Sequence, residues 1–569
     1  MALCFTALDN GGTPVLDPAK VAGQIVLCDR GTNARVAKAD AVKAAGGIGM
    51  VLVNTGPNSL NADFHSIPSI HLADTDRPAV KAYAATAGAT ATVHAAEIIF
   101  NAPAPQVAAF SSRGPLRAGG GDHLKPDLIA PGQDILAAYS PAFSHLDYNQ
   151  ISGTSMSSPH VAGLAALLMD RHPSWTPMMI KSALMTSAYD TVGPTGVPAN
   201  PNSALTIVAQ GAGHVRANSA ADPGLVFNHG FNDWLAFLCG TTTAVGPTTC
   251  SALQGAGFSL DPSDVNVPSI AIGDLTGTQT VRRRVTNVGS SAATYTPTVS
   301  GLAGFNVTVA PASLALNPGQ SAPFTVTIQR NTAPFGAFTG GQLTWSDGSH
   351  SVRLPLIVAA LPLVAPAEVS STGGAISYNV KFGYTGPFGA TARGLVPATT
   401  TAGNVKDDPT DAACSLTTPN AFKQVVAIPA GTTYARFSLF DDFVDGDGDD
   451  LDLCVVNAAG AVVASSGGAT ANETANIVNP AAGNYTVVVA PFATDGPDAN
   501  FTLFQWLLGS ASAGNMTVTA PASAVIDGTG TIDLSFSGLA AGTKYLGSVP
   551  YNNGVALIGT PTIVRVDTP

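Results

Sequence analysis

The sequence predicts a multidomain chain in which an α/β segment is flanked by β-rich modules. Three observations predict it. First, 569 residues are too many for one core, and 60 Gly and 41 Pro beside only 11% charged residues make the chain turn-rich. Second, strand and helix patterns alternate before residue 190, whereas beyond residue 256 the texture changes to short alternating strands. Third, the six cysteines fall into local groups, Cys4 with Cys28, Cys239 with Cys250 and Cys414 with Cys454, which read as disulfides within separate modules of an exported protein.

The elements follow in order. Val21 to Gly31 reads as a strand ending in a turn, Ala37 to Ala45 as a helix stopped by Gly46-Gly47, and Gly49 to Asn54 as a second buried strand. Val161, Leu164, Ala165 and Leu168 fall at i, i+3, i+4 and i+7, which predicts a buried helix running to about Arg171, where His172-Pro173 stops it. Pro159 is expected in its first turn, where spare N–H groups need no intrahelical partner. Pro177 to Ala188 reads as an amphipathic helix.

The helix that carries Val161 begins within Gly153-Thr154-Ser155-Met156-Ser157-Ser158-Pro159-His160-Val161-Ala162-Gly163. A serine hydroxyl is a poor nucleophile at neutral pH, so it must be held where a base takes its proton and backbone donors meet the oxyanion. Small residues before Ser155 let a substrate carbonyl approach the main chain, and the helix that follows brings its unpaired N–H groups and positive dipole end under the serine. This segment resembles the nucleophile motif of subtilisin-like serine proteases. Phe110-Ser111-Ser112-Arg113-Gly114-Pro115, Lys125 to Gly132, Gly211 to Val215 and Asp222 to Val226 resemble neighbouring stretches of plant-type subtilases and their bacterial relatives. The resemblance implies a serine endopeptidase with Ser155 as catalytic nucleophile, acting on proteins or peptides and needing no cofactor for its chemistry.

That family places its acid in D-[ST]-G, its base in H-G-T-H and a second oxyanion donor in a Gly-Asn turn, and none of these occurs ahead of Ser155. His160 lies five residues along, roughly 140° around the helix, and so reads as structural. Asp127 reads as a structural carboxylate beside Lys125, and His65, His71 and His145 have no motif around them. Loss of the base alone lowers subtilisin turnover on the order of 10⁶-fold, a worked case for a relative of this chain. The chain alone is therefore expected to be inactive. Met1-Ala2-Leu3-Cys4 lacks the basic and apolar regions of a signal peptide, so the expectation is the C-terminal portion of a longer secreted product, poorly folded around residues 102–230. The alternative is a non-catalytic extracellular binding protein.

The remaining modules are identified the same way. Residues 1–98 resemble the protease-associated (PA) insert, including Ile67 to Leu72. Residues 99–231 then form the partial α/β subtilisin-like domain, and 232–256, with Trp234 to Gly240, its cysteine-bearing connector. Residues 257–362 resemble a fibronectin-III-like sandwich, carried by Val281 to Gly289 and Gln342 to Gly348. Residues 366–510 resemble a pre-peptidase C-terminal sandwich, and 511–569 read as a further small β domain. Arg282, Arg283 and Arg284 alternate along a strand and read as solvated surface.

Charge excludes other classes. A net charge of −12 with 25 Lys plus Arg offers no basic stripe for nucleic acid or an anionic membrane. The longest apolar run, Leu354 to Ala365, is broken by Pro355 and Pro362. Sequence alone does not fix the oligomeric state. Seven aspartates crowd residues 441–452, and Asp445, Asp447, Asp449 and Asp452 are candidate ligands of a structural Ca²⁺, although the spacing lacks the bidentate Glu of an EF-hand.

Overall fold

The computed structural model describes residues 3–97, 100–140, 142, 147–446 and 448–569, so His145 and Asp447 lie outside the described residues. The chain divides into two compact units, Met1–Ala360 and Leu361–Pro569. Strands dominate, with helices confined to the first unit apart from single turns.

The first unit opens on a parallel sheet of Ile25–Asp29, Gly49–Val53 and Ser69–Leu72, each strand neighbouring the next in sequence. Helix Arg35–Ala44 packs Ala39, Ala41 and Val42 against Cys28, Met50 and Leu52, and Cys4 is bonded to Cys28. Asp29 at the end of the first strand is buried and bridged by Arg77 and Lys81.

Then come the hairpin Ile135–Ala138 with Tyr148–Ile151 and the helices Thr154–Arg171, Pro177–Thr186, Ala204–Gln210, Phe231–Thr241 and Pro247–Gly255. Cys239 joins Cys250 across the last two. A sandwich closes the unit. One sheet runs Phe305–Ala310, Ser321–Arg330, Thr278–Asn287 and Leu225–Phe227; the other runs Leu314–Leu316, Ala293–Gly301, Phe338–Ser346, Ser351–Ala360 and Ile270–Leu275. Between them Trp345, Phe324 and Tyr295 are at most 1% exposed. Leu225–Phe227, which lies within the helical segment, is thus a strand of the sandwich, so the two share one core.

Arg283 corrects the expectation of a solvated arginine. Alternation does set it on the face opposite Arg282 and Arg284, but that face is buried. Its guanidinium donates to the carbonyls of Val267, Arg282 and Ser269 at 2.7–3.0 Å, and burial pulls its pKa down to about 10.

In the second unit the boundaries 366–510 and 511–569 are replaced by a nested arrangement. Ile376–Phe382 pairs with Thr529–Phe536, and Glu368–Ser371 with Leu557–Asp567, so residues before 398 and after 511 build one sandwich around Tyr378, Phe382, Ile532 and Val564. Residues 399–508 form a second sandwich inserted between its strands, with sheets of Thr399–Lys406, Asp498–Leu508, Tyr434–Ser438 and Thr474–Val478, and of Phe422–Ile428, Gly483–Ala493, Asp450–Asn457 and Val462–Ser466. Cys414 is bonded to Cys454 there. Local alternation reveals strands but not a partner about 150 residues away, because register is set by the shared core.

Candidate active site

The turn before Ser155 is held from both sides. Gly153 is extended, its N–H donates to Gly132 O at 2.8 Å, and its carbonyl accepts from Met156 N–H at 3.0 Å as the helix begins. A Cβ on Gly132 would lie 2.9 Å from Gly153 O and 3.2 Å from Ser157 Cβ, so the Ala130-Pro131-Gly132 backbone packs against the turn only because residue 132 is glycine. Ser157 Oγ fixes the same contact by donating to Ala130 O at 2.9 Å.

Ser155 is the second residue of helix Thr154–Arg171 and is exposed, and its hydroxyl has no hydrogen-bond partner among the described residues. The helix N-terminus beneath it supplies unpaired N–H groups and positive potential. Pro159 lies in the second turn, not the first as expected, and so removes the N–H that would reach Ser155 C=O. His160 Nδ1 sits 2.8 Å from Met156 O, turning its ring back along its own helix. No general base meets Ser155 within the described residues.

Asp127 is held by Lys125 and Lys181 at 2.7 and 2.9 Å. Burial raises its carboxyl, and the two ammonium groups outweigh that effect and hold it below the usual carboxylate range. It is a structural ion triad. A Cβ on Gly211, at φ +60°, would lie 2.1 Å from Pro126 O, which locks this loop under the helices. From the sandwich, Arg353 reaches Asp190 and donates to Ala188 O at 3.0 Å and Ala212 O at 2.6 Å.

One contact escaped the sequence. Asn61, in the first module, donates to Ser152 Oγ at 2.9 Å, and Ser152 Oγ donates to Asp134 Oδ1 at 3.0 Å while accepting from Asp134 N–H at 2.7 Å. Gln133 donates to Leu60 O at 2.8 Å. These bonds join the PA-like module to the residues flanking the Gly153–Ser155 turn. Their one local sign is Asp134, held at φ +54°.

The helix carrying Ser155 is not buried as its periodicity predicts. Val161, Leu164, Ala165 and Leu168 do pack on Ile180, Leu184 and Ala220, but Leu167 is 67% and Met169 57% exposed. The adjoining hairpin leaves Leu136 and Tyr148 exposed too, and a cleft lined by Ile135, Leu136, Met156, Pro159 and His160 opens beside the serine. Two faces of the helix are apolar, and only one is covered by described residues.

Of the candidate metal ligands, the described Asp445, Asp449 and Asp452 each have different partners. Among the described residues no three acidic, histidine or cysteine side chains form a metal cage. Asp445 is held by Asn500, whose Nδ2 donates at 2.7 Å; Asp449 packs beside Asp495; Asp452 lies with Asp450 and Glu473. Strand alternation explains the split, since Leu451 turns into the core.

Comparison with known proteins adds to this geometry. Residues 71–257 match the Subtilase family, residues 3–80 the PA domain and residues 264–358 a Fibronectin type-III domain. Among curated relatives, the Arabidopsis thaliana proteins "Subtilisin-like protease SBT1.7" and "Subtilisin-like protease SBT1.3" are each 39% identical over 377 residues, 61% of this chain. "Subtilisin-like protease SBT5.3" is 39% identical over 368 residues. The chain spans about half the length of these relatives, 49%, 47% and 47% respectively.

Proposed function

Because this chain belongs to the subtilisin-like protease family, we propose that it is the nucleophile-bearing part of a secreted serine endopeptidase that cleaves proteins or peptides through an acyl-enzyme on Ser155. The carrying observation is the Gly153–Ser155 turn: an exposed hydroxyl on a helix N-terminus, clamped by Gly132 and Ser157 rather than left to move. In the reaction the Ser155 hydroxyl gives its proton to a base as its oxygen bonds to the peptide carbonyl carbon, with the Ser155 N–H facing the oxyanion; the C–N bond then breaks, the amine leaves carrying that proton, and water hydrolyses the acyl-enzyme. The base, its orienting carboxylate and a second oxyanion donor come from sequence preceding residue 1, which also covers the apolar face at Leu136 and Leu167. The PA-like module, bonded through Asn61 to Ser152, positions the turn.

The test is to extend the reading frame upstream of Met1, express the product and assay protein hydrolysis. Hydrolysis that Ser155→Ala lowers on the order of 10⁶-fold is the expected result. An in-frame stop directly before Met1 would replace this reading with that of a non-catalytic binding protein, as would hydrolysis indifferent to Ser155→Ala.

A further inference from the structure

The acidic segment of the inserted sandwich carries negative charge that the protein itself does not neutralise. Among the described residues, none of Asp441, Asp442, Asp445, Asp449, Asp450, Asp452, Glu473 and Asp495 forms an ion pair with Lys, Arg or His within 4.0 Å. Most of this charge lies at the surface, where water relieves it. Asp449 differs. It is 6% exposed, and although its Oδ1 accepts from Asp495 N–H at 2.9 Å, its Oδ2 is shut off from solvent and has no hydrogen-bond partner. A buried carboxylate oxygen with no donor is strongly unfavourable unless a proton or a cation meets it.

The backbone around it is shaped to bring a second carboxylate close. Gly446 has φ +89°, and a Cβ there would stand 2.7 Å from both carboxylate oxygens of Asp495; a Cβ on Gly448 would stand 3.3 Å from Asp495 Cβ. The left-handed backbone at Gly446 favours glycine where the loop lies on Asp495. Asn500 holds Asp445 to one side through its backbone N–H and its amide. Asp449 also lines an open polar cleft of about 380 Å³ together with Asp441, Asp442, Thr470 and the glycines.

We propose that Asp449, at the edge of this cleft, and Asp495, which lies beside it outside the cleft lining, together bind a hard divalent cation of the calcium class, with water and backbone oxygens completing the shell. Two carboxylates from separate segments leave room for the six to eight oxygen ligands that calcium takes, whereas magnesium demands a stricter octahedron. The site uses Asp449 from the sequence-derived set and adds Asp495, distant in sequence, while Asp452 belongs to a separate carboxylate group with Asp450 and Glu473.

The experiment uses the full 569-residue chain stripped with a chelator and then exchanged into chelator-free buffer. Calcium chloride is titrated by calorimetry and by thermal melting at pH 7, with magnesium chloride and sodium chloride at matched ionic strength as controls. Saturable calcium binding with a rise of several degrees in one melting transition is expected, weakened at least tenfold in Asp449→Asn and in Asp495→Asn and unchanged in Asp533→Asn. No saturable calcium binding by the wild-type chain, or binding unchanged in both variants, would overturn the proposal. An asparagine variant that is more stable than wild type whether or not calcium is present would also overturn it, identifying a carboxyl pair that shares a proton.

Discussion

The fibronectin-type sandwich and the helix that carries Ser155 lie in one compact unit but are stabilised very differently. In the sandwich every strand has a partner on at least one side and two sheets bury Trp345, Phe324 and Tyr295 between them. The helix is covered on one face by Ile180 and Leu184 while Leu167 and Met169 stay exposed. A sandwich contains both halves of its own core. A central helix of an α/β layer needs an element on each side, and this difference makes Ser155 accurately placed yet weakly supported.

Removing a large core side chain tests the contrast most severely. Trp345→Ala should lower stability by about 3–5 kcal/mol through its lost burial and the cavity left behind, read by denaturant unfolding. Leu167→Ala, on the exposed face, should change it by about 0.5 kcal/mol or less. Comparable losses from the two substitutions would break the comparison.

Next in size is the link between the regions. Arg353→Ala leaves Asp190 without its cation and two carbonyls without a donor, and should cost about 2–4 kcal/mol in the transition that includes the helices. Retention of full stability would show that the helical segment stands without its sandwich.

A pH effect of about 1–3 kcal/mol sharpens the account further. His123 is 3% exposed among Trp234 and Phe237, neither ring nitrogen has a partner, and burial pushes its pKa down to about 4. A neutral buried imidazole contributes stability that is full above the unfolded value near 6.5 and is lost as pH falls toward 4. Asp122 acts oppositely: burial lifts it to about 7, so its unfavourable contribution grows as pH rises from about 3.8 to 7. His123→Leu should therefore flatten the acid side of the stability profile and Asp122→Asn the neutral side, as measured by urea unfolding between pH 4 and 8. Identical profiles for wild type and His123→Leu would remove the imidazole from the account.

Much of this was legible in sequence where the cause is local. The Gly153–Gly163 motif places Ser155 at a helix start, the glycines after Ala45 end a helix, and the cysteine groups pair as their spacing suggests. Alternation set Arg283 opposite its neighbours, but a strand pattern cannot tell which face has carbonyls waiting for a guanidinium. Periodicity marked Val161 to Leu168 as apolar without saying that Leu167 and Met169 would lack cover. Pairing of Ile376–Phe382 with Thr529–Phe536, and of Asp449 with Asp495, depends on distant segments meeting, which no local window contains.

Amide hydrogen exchange on the full chain at neutral pH tests the central claim most directly, since it reads the opening of each element separately. The account predicts rapid exchange across helix Thr154–Arg171 and slow exchange across Thr278–Asn287 and Ser321–Arg330, with Ser155→Ala altering neither. Equal, strong protection of the helix and the sandwich strands would contradict it, because the helix would then be stable with its second face uncovered.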